Sequence, residues 1–290
     1  MKREDRIQCV ALSSPSYPVL LREIEDPPQT LYFIGDIRLA SMPAVAVVGS
    51  RKATSYGKWA AFEIGKRLAE NEMVVVSGMA WGVDSYSHQG ALELKGKTVA
   101  VLGCGIDLCY PAGNRKLRNQ ILEQGLIVSE YPPGYTAKKF TFPLRNRIIS
   151  GLCAATVIVE AGLSSGSLIT AERAAEQGRH VFALPGNINS IHSIGTNKLI
   201  QDGAYPLVVV DDIFDVLGVK KKEKENSFNH LGEDEKKILS VIMQASEVSI
   251  DFICKHVKME PSQVIPILTI LEMKGIIYSS LGKIFVANFK

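Results

Sequence analysis

Residues 156–178, TVIVEAGLSSGSLITAERAAEQG, carry strand, loop and helix signals in one unbroken run. Residues 156–159 are a short β-branched apolar run of the kind a parallel sheet buries on both faces. The period then changes. Leu168, Ala171, Ala174 and Ala175 recur at helical spacing, and Gly178 supplies a stop. Between the two, Ser164, Ser165, Gly166 and Ser167 place small residues and free backbone N–H groups at a helix start. There, roughly half a positive charge and up to four unpaired donors favour a phosphate or carboxylate. The plainer reading of these residues is a tight turn with a serine cap, and the neighbouring loops decide between the two.

The same alternation runs upstream and downstream. Residues 44–49, AVAVVG, read as a buried strand, and 57–71 as an amphipathic helix with Ala60, Ala61, Ile64 and Leu68 on one face. Further strands are expected over 73–77, 97–102, 126–129 and 180–184. Helices are expected over 84–94, with Asp84 as N-cap, and over 115–124. The reading is α/β: an extended Rossmann-like, doubly wound, mostly parallel sheet. Right-handed crossovers put the carboxyl ends of the strands on one edge. The loops GSRKATSYG (49–57), LSSGS (163–167) and PGNINSIHSIGTN (185–197) therefore face one crevice. The dinucleotide spacing G-x-G-x-x-G is absent at Gly49, and the G-x-G of Gly103 and Gly105 does not open directly into a helix.

The formal net charge is only +3, and the segment 231–290 is neutral, with seven lysines against seven acids. A polyanion site must then be a local patch. Two acid-free basic stretches qualify: Arg51 to Lys58, with Arg51, Lys52 and Lys58, after the first of these strands, and Lys138 to Arg147, with Lys138, Lys139, Arg145 and Arg147, before the central one. A guanidinium at Arg51 matches phosphate oxygens two at a time. Phe140 and Phe142 interleave with the second group. This suits single strands, because cations track the backbone while a ring stacks an unpaired base; ordinary core packing is the alternative for the phenylalanines. Arg145, near a helix start, could instead pair with Glu160 or Glu172. Five scattered cysteines without a completing His argue for free thiols rather than a metal, and His88, His180 and His192 lack ligand spacing. No metal or cofactor is expected. The absence of an apolar run of about 20 residues and of a signal core gives the expectation of a cytoplasmic protein with no membrane span.

Residues 1–43, broken by prolines, are expected to pack on the main domain as a lid or clasp. Residues 44–219 form that domain, 220–229 are a charged linker, and 230–290 carry three helices and a hairpin in winged-helix order. The third helix, PSQVIPILTILEMK, offers a single cation at its far end, Lys274, so the tail reads as a protein-contact or regulatory module rather than a duplex reader.

The motifs VVGSR (47–51), SGMAWGVD (77–84), LGCGIDLCYPAGN (102–114), FPLRNRIISGL (142–152), VEAGLSSGSLITA (159–171) and ALPGN (183–187) follow one another in a known order. Over about residues 17–218 the chain resembles the DNA-processing protein A (DprA, also called Smf) family. The resemblance implies a Rossmann-like domain that binds single-stranded DNA, forms homodimers and loads a RecA-type recombinase during natural transformation. It carries the single-strand pocket onto Gly49, Ser50, Arg51, Lys139 and the Ser164–Ser167 loop. With the basic and aromatic neighbours Lys52, Phe140, Phe142, Arg145 and Arg147, and Asn187 on the last loop, these are the candidate DNA-binding residues. The N-terminal region is short beside members with a full helical module there. Two other readings stay open. One is a nucleoside-monophosphate phosphoribohydrolase, whose glycine-rich loop LSSGSLITAE partly matches through Glu172; no activated nucleophile accompanies it. The other is a transcription regulator using the winged helix on duplex DNA.

Overall fold

The computed structural model describes residues 7–221, 231–245, 248–274, 276–280 and 283–286. In chain order the larger unit contains β1 (Gln8–Ala11), α1 (Val19–Arg22), β2 (Thr30–Gly35), β3 (Ala44–Val48), α2 (Ser55–Glu70), β4 (Val74–Ser77), α3 (Val83–Glu93), β5 (Thr98–Leu102) and α4 (Arg115–Gln124). There follow β6 (Leu126–Ser129), α5 (Thr141–Gly151), β7 (Ala155–Ile158), α6 (Gly166–Glu176), β8 (His180–Ala183), α7 (Ile194–Gln201), β9 (Tyr205–Pro206) and α8 (Asp212–Leu217). The nine strands form one sheet in the order β1-β2-β6-β5-β4-β3-β7-β8-β9.

The strand sequences account for that arrangement. Every residue of β3, β4, β5, β6 and β7 is buried, the pattern of unbroken apolar runs covered on both faces. Ala60, Ala61, Ile64 and Leu68 of α2 pack on one face with Phe182 and Phe214, and Leu21, Ile148, Ile149 and Ala171 pack on the other. The chain runs outward from β3 through β4 and β5 to β6, then returns by α5 to β7 on the opposite side of β3. The strand order therefore reverses between β3 and β7, and the crevice lies at their carboxyl ends.

The N-terminal segment is not a lid. It contributes two strands to the sheet edge: β2 runs antiparallel to β6, with Phe33 opposite Val128, and β1 pairs antiparallel with β2. Pro27 and Pro28 sit in the connection between the two strands, where no ladder N–H is required. Tyr17 is buried beneath that connection, and its hydroxyl donates to the Pro28 carbonyl at 2.8 Å. The chain divides into two compact units, 1–222 and 223–290. Most of the expected linker, residues 222–229, lies outside the described residues, as does the expected helix stop Gly275.

In the smaller unit, α9 (Glu233–Ala245), α10 (Ile250–Val257) and α11 (Pro261–Met273) precede a hairpin of β10 (Ile277–Ser280) and β11 (Lys283–Val286), a winged-helix arrangement. Its own core joins Ile238, Leu239, Ile242, Ile253, Val264 and Leu271. A capping box between Glu260 and Gln263, with Pro261 in the first turn, starts α11. Lys274, just past its end, is held by Glu235 at 2.8 Å.

His88 is buried on α3 with Nδ1 2.7 Å from Thr98 Oγ1. The threonine hydroxyl donates to the Val75 carbonyl, so the imidazole is the donor and carries its proton on Nδ1. Burial pushes its pKa down to about 3. A depressed folded-state pKa gives stability that is complete above the ordinary histidine value of about 6.5 and is lost as pH falls toward the folded value. Urea unfolding of the wild-type chain should therefore show stability falling by up to about 1.4 kcal/mol per pH unit below about pH 6.5 from this group. In His88→Gln, whose side chain does not titrate, that slope should shrink.

Candidate nucleic-acid interface

The crevice is assembled around an arginine that the sequence places at a surface. Arg145, on the second turn of α5, is buried; its guanidinium donates to the carbonyls of Gly78 (3.0 Å) and Val101, at the ends of β4 and β5. Its charge faces Asp84, whose carboxylate accepts from the backbone N–H groups of Gly78 (3.1 Å) and Ala80 (3.3 Å). Asp84 is thus a clamp on the β4 loop from within the first turn of α3, and Gly82 occupies the N-cap in its place. Burial raises the Asp84 pKa, against the pull of Arg145 and the two N–H donors. Neither Glu160 nor Glu172 partners Arg145. Glu160 instead accepts from the backbone N–H (2.9 Å) and hydroxyl (2.5 Å) of Thr54, tying the end of β7 to the start of α2. Glu172, on which the phosphoribohydrolase reading turns, is exposed on α6.

Arg147 is also a structural side chain. Its guanidinium reaches Asp26 (3.1 Å) and Glu130 (2.7 Å), and only 11% of the side chain is exposed. It locks the N-terminal segment to the loop before α5. Asn146, between the two arginines, donates to the Gly166 carbonyl at 3.2 Å and joins α5 to the first turn of α6.

Arg51, by contrast, is exposed on the loop after β3, and none of the described acidic groups forms a salt bridge with it. Its guanidinium carbon lies 5.2 Å from the ring centre of Phe142, within cation–π range. Phe142 is half-buried and in turn packs at 5.1 Å against Tyr110, from the loop after β5. Arg51, Phe142 and Tyr110 share one cavity with Trp81, Pro111 and the edge of Arg145. The Gly49–Ser50 backbone is fixed from below, since the Ser50 N–H donates to the Glu160 carbonyl at 2.8 Å and the Val83 N–H donates to the Ser50 carbonyl at 3.3 Å. Gly82 makes this fit possible: its φ of +73° and the lack of a Cβ let it sit against the Ser50 and Arg51 carbonyls.

The remaining predicted residues are spread around this centre. Lys52 is exposed beside Arg51, with its N–H on the Ser50 hydroxyl. Lys139 and Phe140 are exposed on the turn entering α5, where Lys138 lies 5.3 Å from the Tyr135 ring and 5.8 Å from Phe140. In the loop after β7, Ser165 caps α6 itself, accepting from the Ser167 N–H, and Ser164 and Gly166 are exposed. Asn187 is exposed after β8 and lines neither the cavity that holds Arg51 and Phe142 nor the one beside it. Sequence reasoning missed Trp81 and Tyr110, 50% and 46% exposed. The available signal was an aromatic inside each of two glycine-rich loops at the carboxyl edge.

The fold is a doubly wound α/β sheet whose switch-point loops set an exposed arginine beside the ring of Phe142, at the strands' carboxyl ends where such folds hold their ligands. Comparison with known proteins makes this specific. The family model for DNA recombination-mediator protein A matches residues 8–218, and the chain belongs to that family. DNA processing protein DprA of Streptococcus pneumoniae is 48% identical over 188 residues, 65% of this chain and 66% of its own length. The Bacillus subtilis DprA is 40% identical over 216 residues, 74% of this chain and 73% of its own. The crystal structure of the S. pneumoniae protein superposes with a TM-score of 0.70 at 43% identity, over 73% of this chain and 75% of that one. A Helicobacter pylori DNA processing protein A structure, described for its single-stranded DNA binding mode, superposes at 0.67 and 33% identity, over 75% of this chain and 98% of that one.

The two kinds of arginine separate in stability. Arg145→Ala should cost about 3 to 5 kcal/mol, the range for removing one partner of a buried charge pair. Arg51→Ala should change stability by no more than about 0.5 kcal/mol. Chemical denaturation of the two variants checks both.

Proposed function

We propose that this protein binds single-stranded DNA in the crevice centred on Arg51 and acts, as a homodimer in the cytoplasm, to load a RecA-type recombinase onto that strand. The observation that carries the reading is Arg51 itself. It is exposed at the switch point and free of acidic partners among the described salt bridges, and it lies beside the half-buried ring of Phe142. Membership of the recombination-mediator family and the likeness to the H. pylori structure support it. An arginine fork takes a phosphate, and exposed rings take unpaired bases, which a duplex does not offer. In this reading the exposed Lys52 and Lys139 add positive charge along the strand, and the small Ser164–Ser167 loop and Asn187, on the loops after β7 and β8, offer it further polar contacts. We take the binding to be non-enzymatic, in keeping with the recombination-mediator family, since cations that hold phosphates and rings that hold bases need no chemical step. The reading leaves the winged-helix unit out of strand binding, since residues 231–290 carry no net charge and the lysine closing α11 is paired with Glu235.

Titration of fluorescent single strands and duplexes of equal length tests this. Single strands should be preferred, with log affinity falling against log salt by about 0.7 per phosphate contact. Arg51→Ala and Lys139→Ala should each weaken binding by about 1 to 3 kcal/mol and reduce that slope by about one contact. Arg51→Lys should recover only part of the loss. A chain ending at Lys222 should retain single-strand affinity within a small factor. Wild-type affinity in both alanine variants would overturn the assignment of the crevice.

A further inference from the structure

A second cavity adjoins the first. Arg51 and Trp81 line both, and the second is completed by Lys58, Tyr86, Gln89 and Asn114, on α2, α3 and the turn before α4. Its volume of about 400 Å³ is in the range of sites that hold small organic groups. Trp81 therefore stands between two spaces, each with an aromatic ring and a cation within reach. In the first these are Phe142 and Arg51; in the second they are Tyr86 and Lys58, whose ammonium lies 5.8 Å from the tyrosine ring centre.

The indole is held in that position. A side chain at Gly113 would collide with the six-membered ring of Trp81, so the glycine lets the indole lie directly on the turn Ala112–Asn114. Asn114 braces the loop that carries the ring. Its side-chain amide donates to the Met79 carbonyl (2.8 Å) and to the Ser85 hydroxyl (2.9 Å), which donates to the Ala80 carbonyl (2.5 Å). One side of the ring is thus supported by backbone while half of its surface stays open to solvent. An exposed tryptophan braced so firmly loses little entropy when a planar group stacks on it.

We infer that Trp81 is a base-stacking platform dividing two successive nucleotide subsites, with Arg51 on the phosphate between them and Lys58 on the next phosphate along the strand. The inference rests on the single-strand reading above and extends it from one contact to a path that leaves the switch point over the N-terminal turns of α3. The ligand class is single-stranded nucleic acid of at least two consecutive nucleotides.

The chain contains two tryptophans, Trp59 and Trp81. In Trp59→Phe the emission reports on Trp81 alone, and a stacked base quenches an indole. Titrating this variant with an oligothymidylate, while following the anisotropy of the same labelled oligonucleotide, should give quenching and anisotropy curves with one midpoint. In the full chain Trp81→Ala should weaken binding by about tenfold or more, as loss of one stacked base does, and Trp81→Phe should restore most of it. Lys58→Ala should lower the salt slope by about 0.7. Binding by anisotropy with unquenched emission and undiminished affinity in Trp81→Ala overturns the platform and leaves the single-strand reading intact. An unchanged slope in Lys58→Ala overturns the second subsite. Absence of any anisotropy change overturns both readings together. Should Trp81→Ala fail to fold, the quenching of Trp59→Phe still decides.

Discussion

The buried guanidinium of Arg145 is the constraint on which the crevice depends. Taking a cation out of water costs several kcal/mol, which here is offset by hydrogen bonds to the carbonyls of Gly78 and Val101 and by the facing carboxylate of Asp84. Those contacts pin the ends of β4 and β5 to α5. The same helix turn presents Phe142 toward Arg51 and sends Asn146 to the start of α6. Arg145 and its helix neighbour Asn146 thus tie the ends of β4, β5 and the start of α6 to α5, and such cross-links lower the ordering cost of binding.

Two arginines a residue apart in a basic stretch, Arg145 and Arg147, are both internal, whereas Arg51 alone of the arginines predicted to bind DNA is open. The distinction is electrostatic. Arg147 is largely buried and charge-paired with Asp26 and Glu130, and Arg145 is buried against carbonyls and Asp84, so neither presents its charge to a phosphate in the crevice. Arg51 has a ring for a neighbour, which attracts the cation without neutralising it.

Much of the doubly wound core was legible because buried parallel strands announce themselves as short β-branched runs, and small residues mark the loops that follow them. The strands 44–48 and 155–158 and the helix 166–176 fall within a residue or two of where those patterns put them. What stayed hidden depends on partners distant in sequence. The pairing of β2 with β6 joins residues near 32 to residues near 128, and no local pattern distinguishes an edge strand from a clasp. The partner of Arg147 lies 121 residues away at Asp26, so a run of basic residues reads as a surface until the fold is known. Trp81 and Tyr110 were illegible for a different reason: an aromatic in a glycine-rich loop reads equally as core or surface, and only the fold shows these two exposed.

The ion pair of Arg147 with Asp26 also changes what counts as the domain. The alternating strand-helix pattern begins at Ala44, so a boundary drawn by pattern would cut near Pro43 and discard everything before it. Such a fragment would lose Asp26, expose the outer edge of β6 along its whole length, and leave the Arg147 guanidinium with Glu130 alone at the root of the loop that bears Lys139. An uncovered strand edge is a template for self-association. Protein made from the minimal pattern would thus be prone to aggregate and to proteolytic nicking around residues 131–140, and the fault would lie in the choice of start site rather than in the sequence retained.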